Sequence, residues 1–191
     1  MRRLNTRLLV YISGLILLIE SLFMLACTPV SLIYSGDDFW AILLAALITG
    51  FSGLILFLVT MKTVRKTPGI REGFLAVSLT WLLASLFGTL PFLISGAIPN
   101  FADAWFETVS GFTTTGSSVL TDIEVVSKGI LLWRSLTHWM GGMGIILMVI
   151  VILPSLKAGG IYLFSAEASK ISFEEIRPRV IDTAKRFGVI Y

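Results

Sequence analysis

Residues 110–120 read SGFTTTGSSVL, from Ser110 to Leu120, with three threonines, a glycine and two serines in succession between two strongly apolar segments. The upstream part, PNFADAWFETVSGF, carries the marks of a helix start: Pro99, then Asn100 as a candidate N-cap, then Asp103 early enough to complement the helix dipole. Ala104, Trp105, Thr108 and Val109 continue the helix to a stop at Gly111. About a dozen residues make a rod of only ~18 Å, too short to cross a bilayer.

Further outward the chain is overwhelmingly apolar. Hydrophobic residues make up 55% of the 191, charged residues 14%, and the mean hydropathy is +0.89, values that belong to a membrane protein. Four apolar runs, 8–27, 39–61, 73–98 and 129–156, each reach the ~20 residues a spanning helix needs. The first follows Arg2, Arg3 and Arg7 in the manner of a signal peptide, but it is longer than an ordinary signal core and ends in a poor cleavage site at Ala26–Pro29, so it is expected to remain. A lipid-modified Cys27 is the less favoured alternative, because threonine follows it where a small residue is usual. The single cysteine excludes an internal disulfide, and with the single His138 it does not make a zinc site.

The positive charges set the expected orientation. Arg2, Arg3 and Arg7 precede the first run, Lys62, Arg65, Lys66 and Arg71 lie between the second and third, and Lys157, Lys170, Arg177, Arg179, Lys185 and Arg186 follow the fourth. Only Lys128 and Arg134 fall on the opposite side, so both ends of this chain are expected in the cytoplasm. Basic residues on an inner face account for the net charge of +3 without a nucleic-acid partner. The outer half collects Asp37, Asp38, Asp103, Glu107, Asp122 and Glu124, which would raise local cation concentration near a pore. For Asp37 and Asp38, in the turn SGDD, plain solvation is the expectation.

The helix after residue 120 must run from outside to inside, so the short helix either re-enters the membrane from the outside or lies on its surface. Re-entry is favoured by the sequence that follows it, because non-helical backbone at membrane depth is tolerated where it is buried in protein or lines a wet cavity. Thr113 to Ser118 offer carbonyl and hydroxyl oxygens suited to a hard, weakly hydrated cation. Gly116 admits a backbone conformation strained for other residues, and the preceding helix aims its negative end at the return point. Together these are the physical requirements of a potassium filter. The alternative is that the hydroxyls merely bond to their own helix end.

The phrases WFETVSGFTTTGSSVL and LLWRSLTHWMGGMGIILMVIVILP, together with the order helix, short helix, TTTGSS, helix, resemble one membrane-pore-membrane repeat of the Trk/Ktr/HKT superfamily of potassium transporters. The likeness is greatest to the N-terminal part of bacterial Trk-type membrane subunits, which also carry an extra helix pair. It implies an all-α membrane protein: a transmembrane helix pair over 1–66, one helix/pore-helix/filter-loop/helix repeat of the potassium-channel type over 67–156, and a cytoplasmic segment over 157–191. Laid on the TVGYG strand of potassium channels, Thr114 takes the threonine place, Thr115 the valine, Gly116 the first glycine, Ser117 the tyrosine and Ser118 the last glycine. The resemblance then implies that backbone carbonyls of Thr114, Thr115 and Gly116, with help from Thr113 and Ser117, form one quarter of a path for K+, with no cofactor. The family is known for four repeats in one chain, so a partial or truncated subunit is expected, completed by further repeats or by other copies. The resemblance further implies the bacterial inner membrane, a homodimer of the complete subunit, and a cytoplasmic nucleotide-binding regulatory subunit. The basic residues after Pro154 are available to that subunit, or equally to anionic membrane lipid.

Glu107, in the short helix, is a functional candidate because it is an intramembrane carboxylate, and Arg134 is its nearest plausible partner. The alternative has Arg134 snorkelling to the interface beside Trp133. Glu20 is expected near the outer end of the first helix, without a transport role, and His138 reads as a packing residue. Gly141, Gly142 and Gly144, in MGGMG, permit close helix approach or a gating hinge, and Gly50 and Gly53 read as packing. A membrane enzyme would need nucleophile, base or metal ligands grouped at one interface, and no such set is visible. A non-conducting assembly or scaffold subunit is the alternative function.

Overall fold

The computed structural model describes residues 5–34, 36–61 and 70–144. Among them the chain is helical and without strands: α1 Thr6–Ile33, α2 Phe39–Thr60, α3 Ile70–Gly88, α4 Leu90–Ile94 and α5 Phe101–Phe112. A sixth helix, α6, begins at residue 128 and is helical to 144. The chain divides into two units, Met1–Met140 and Gly141–Tyr191, and the first holds α1 to α5 with residues 128–140 of α6. The basic loop at 62–69, the fourth apolar run beyond 144 and the segment 157–191 lie outside the described residues.

Three helical stretches among the described residues are long and apolar enough to cross a membrane: Thr6–Ile33, Phe39–Thr60 and Gly73–Ile94. The first exceeds its expected limits of 8–27. It opens on Asn5, whose side chain accepts the Leu8 N–H at 3.3 Å, and continues through Pro29. Proline has no N–H to give the carbonyl four residues back. The hydroxyl of Thr28 supplies that donor instead, meeting the Leu25 carbonyl at 2.7 Å, and the helix is not broken.

Helices α1 and α2 form an antiparallel hairpin held at very close range by small residues. A Cβ added to Gly14 would stand 2.7 Å from the Phe57 nitrogen, and one added to Gly53 would stand 2.9 Å from the Gly14 carbonyl oxygen. Close backbone approach through glycine is how helices gain dispersion contact where lipid removes the hydrophobic drive. Gly50 and Gly53 are thus packing residues, as their spacing suggests. Leu22, Trp40, Phe51 and Val59 remain 64–75% exposed on the outside of the hairpin, the side a lipid phase would cover. Buried hydroxyls bond back to their own helices, Ser13 to the Leu9 carbonyl and Thr60 to the Leu56 carbonyl, which meets the bilayer's requirement for internal pairing.

The third apolar run was expected to be one helix over 73–98. It is interrupted at Thr89, and α4 ends at Ile94. Pro91 gives the physical reason, since its ring and missing N–H break the ladder one turn earlier. The broken end is sealed from outside: the indole N–H of Trp133 donates to the Gly88 carbonyl at 3.0 Å, and the Thr89 hydroxyl donates to Leu86. Trp133 is fully buried, not interfacial. It joins Met24, Ile42, Phe92, Ala104 and Ile130 in one core where α1, α2, α4, α5 and α6 meet.

Candidate functional site

Helix α5 starts where the sequence places it. The Asn100 side chain accepts the N–H groups of Ala102 at 2.8 Å and Asp103 at 3.4 Å, and the 12 residues to Phe112 fall short of a span. Ala104, Glu107, Thr108 and Gly111 are buried at the i, i+3, i+4, i+7 spacing of one helical face. Phe112 meets Trp81 of α3 edge-on, with ring centres 6.3 Å apart.

The end of α5 is a Schellman turn. The Thr115 N–H reaches the Ser110 carbonyl at 3.0 Å and the Thr114 N–H reaches Gly111 at 2.9 Å, with Thr114 at φ +57. Glycine is the usual occupant of that left-handed position, and a β-branched residue there is strained by about 1–2 kcal/mol. Gly116, two residues on, has φ +79. The left-handed freedom expected of Gly116 is present, and a second left-handed residue, Thr114, precedes it without any sequence signal.

From Thr113 to Ser118 the chain is non-helical and exposed. Its far end is nevertheless tied. The Ser110 hydroxyl donates to the Ser117 carbonyl at 2.6 Å. Glu107, 1% exposed, accepts the Ser118 hydroxyl at 3.1 and 3.0 Å and the Val119 N–H at 2.9 Å, while Arg134 Nε donates to its Oε1 at 2.5 Å. The pairing of Glu107 with Arg134 is therefore present, and Arg134 does not snorkel. One buried carboxylate joins α5, the non-helical segment that follows it and α6.

Among the described residues no hydrogen bond goes to the carbonyls of Thr114, Thr115 or Gly116. Ser117 is different, since its carbonyl already serves Ser110. Thr113 is different too: its hydroxyl donates to the Val109 carbonyl at 2.8 Å and meets the Thr115 hydroxyl at 2.8 Å, so its side chain behaves as the helix-end alternative describes. Exposed carbonyls without a hydrogen-bond partner are the kind of oxygen that can meet a hard cation or water. Gly141, Gly142 and Gly144 are helical and belong to the second unit. His138 bonds the Arg134 carbonyl through Nδ1 at 3.0 Å, a packing role.

Two acids, Asp38 and Glu20, behave otherwise than their sequence context suggests. Asp38 is not solvated: it is 3% exposed and accepts hydrogen bonds from α1 and from the start of α6. Nothing local could announce a partner 92 residues away. Glu20 lies at the midpoint of α1, not near an end, and both its oxygens are buried without a hydrogen-bond partner. Asp37, Asp103 and Asp122 share, with Asp38, a cleft of about 800 Å³ that also touches Gly96 and Val119. Among the described residues no group of three or more His, Cys, Asp or Glu is placed to hold a metal ion.

Residues 43–191 match the TrkH family, described as cation transport protein. The chain belongs to the TrkH family. Among similar TrkH-family proteins, the Trk system potassium uptake protein TrkH of Halomonas elongata is 37% identical over 189 residues, covering 98% of this chain and 39% of its own length. The protein of the same name in Escherichia coli K12 is 43% identical over 124 residues, 63% of this chain and 26% of its own. The crystal structure of the potassium transporter TrkH from Vibrio parahaemolyticus superposes with a TM-score of 0.78 at 34% identity, covering 98% of this chain and 37% of that one. The present TrkH-family chain thus spans between a quarter and two fifths of the length of these relatives.

Proposed function

We propose that this chain forms part of a potassium uptake pore and supplies one of its filter strands. The observation that carries the reading is the row of unpaired carbonyls at Thr114, Thr115 and Gly116, exposed, with left-handed backbone at Thr114 and Gly116, at the end of a short helix. Unpaired carbonyls are costly in a membrane unless a cation or water meets them. Relatives named as Trk system potassium uptake proteins support K+ as that cation.

In this reading 1–66 is the added helix pair, 67–156 the first membrane-pore-membrane repeat and 157–191 the cytoplasmic segment leading to the next. Helix α5 re-enters from the outer side, where Asp103 and Asp122 enrich cations. One strand cannot surround an ion, so the path is completed by further repeats or by other copies. The complete subunit sits in the bacterial inner membrane with both ends of this chain in the cytoplasm. It forms a homodimer and meets a nucleotide-binding regulatory subunit there. It conducts or carries and is not an enzyme, and it needs no cofactor.

The test is growth of a potassium-uptake-deficient bacterium on limiting K+, carrying this chain alone or extended by its downstream reading frame. Rescue by the extended form, with K+ preference over Na+ lost in Gly116→Ser, is the expected result. If neither form rescues although both reach the membrane, the scaffold function takes its place.

A further inference from the structure

Asp38 belongs to the turn between α1 and α2, outside the proposed repeat. Its Oδ1 accepts the Ser31 hydroxyl at 2.5 Å, and its Oδ2 accepts the Ser127 hydroxyl at 2.7 Å and the Ile130 N–H at 3.0 Å. Ile130 is the third residue of α6. A carboxylate from a remote turn therefore does what an N-cap side chain ordinarily does, accepting a first-turn N–H and placing negative charge at the positive end of the dipole. The seat leaves little slack, for a Cβ added to Gly129 would stand 2.8 Å from Ile42 Cδ1 and 3.1 Å from Ser31 Cβ.

One turn further along α6, four residues after Ile130, is Arg134, whose Nε holds Glu107. Glu107 in turn holds Ser118 and Val119, the end of the strand with the free carbonyls. Each bond in this series has a working range of only a few tenths of an ångström. An α6 released at its first turn, free to slide or rotate, would carry Arg134 with it and pull on the strand through Glu107.

We propose that Asp38 is a positioning residue for the filter strand, setting the height and rotation of α6 and, through Arg134 and Glu107, the place of Ser118 and Val119. The N-terminal helix pair thereby takes part in ion discrimination without touching the ion. The proposal rests on the filter reading given above. Asp37, adjacent and exposed, is outside the series and is the natural control.

The test compares Asp38→Asn, Asp38→Ala, Asp38→Glu and Asp37→Asn in the form of the protein that supports uptake, at matched amounts of monodisperse protein in the membrane. Asp38→Asn and Asp38→Ala are expected to lower the preference for K+ over Na+ about fivefold, the scale of a modest coupling between distant sites. Asp37→Asn should leave the preference unchanged, and Asp38→Glu should restore part of it. Adding Arg134→Gln to Asp38→Asn should change the preference no further than Arg134→Gln alone. A well-folded Asp38→Asn protein with unaltered preference, or losses that simply multiply in the double variant, overturns the proposal. If the parent chain carries no K+, the filter reading fails by itself. The relay is then read from the thiol-labelling rate of Ser117→Cys, beside the Glu107-bound Ser118: a changed rate on adding Asp38→Asn supports it and an unchanged rate overturns it. If Asp38→Ala does not fold, the milder Asp38→Asn decides.

Discussion

The hydroxyl of Ser110 and the carbonyl of Ser117 meet at 2.6 Å, so the last turn of α5 grips the far end of the strand that leaves it. Ser110→Ala removes this donor and leaves the carbonyl of Ser117 free like those of its three predecessors. A loss of about 1 kcal/mol is expected, the net worth of one such bond. Thermal unfolding in detergent measures it, and an unchanged midpoint would mean that the strand does not depend on this grip.

Glu107 and Arg134 form a buried pair, and breaking such a pair leaves an uncompensated charge. Glu107→Gln and Arg134→Gln are each expected to destabilise by about 3–5 kcal/mol, and the double variant by no more than the worse single. A denaturation cycle over the four proteins decides. Additive losses would show that Arg134 and Glu107 act separately.

Thr114 occupies a left-handed position that glycine fills at no steric cost. Thr114→Gly relieves about 1–2 kcal/mol of strain and gives back roughly 0.5–1 kcal/mol through the freer unfolded chain. The melting temperature should therefore be equal or higher. A clear drop would reveal a stabilising contact of the Thr114 side chain that outweighs the strain.

At the α1–α2 contact the two halves of the seam should respond unequally. Gly14→Ala drives a methyl group against the Phe57 nitrogen and the Gly53 carbonyl, rigid backbone on both counts, and should cost about 1–3 kcal/mol. Gly50→Ala meets only the Ser21 side chain, at 3.0 Å to its Oγ, and should cost less. Equal losses at Gly14 and Gly50, compared by thermal unfolding, would contradict the packing described.

Much of this architecture can be read from residue order. The two N-terminal spans follow from length and hydropathy, the start of α5 from Asn100 and Asp103, and the special backbone at Gly116 from glycine itself. These are local properties. The interruption at Thr89 was within reach too, since Pro91 marks it, but an unbroken apolar run obscured it. Thr114 was not legible, because its left-handed conformation is imposed by the helix end and the strand together, against its own preference. Asp38 and Trp133 escaped for another reason. Their partners, Ile130 and Gly88, lie 92 and 45 residues away, and a side chain's chemistry does not reveal which distant backbone group it will meet.

The strand from Thr113 to Ser118 owes its shape to bonds within its own chain, to Ser110 at one place and to Glu107 at another. A segment that waited for neighbours to order it would lose its conformational entropy at the moment of association, and the association would be weaker by that amount. Here the loss is already met during folding of the single unit. In the proposed pore, the parts that complete the path have only to dock against a finished segment, so errors in assembly and errors in strand geometry become separate faults, which mutations can produce one at a time.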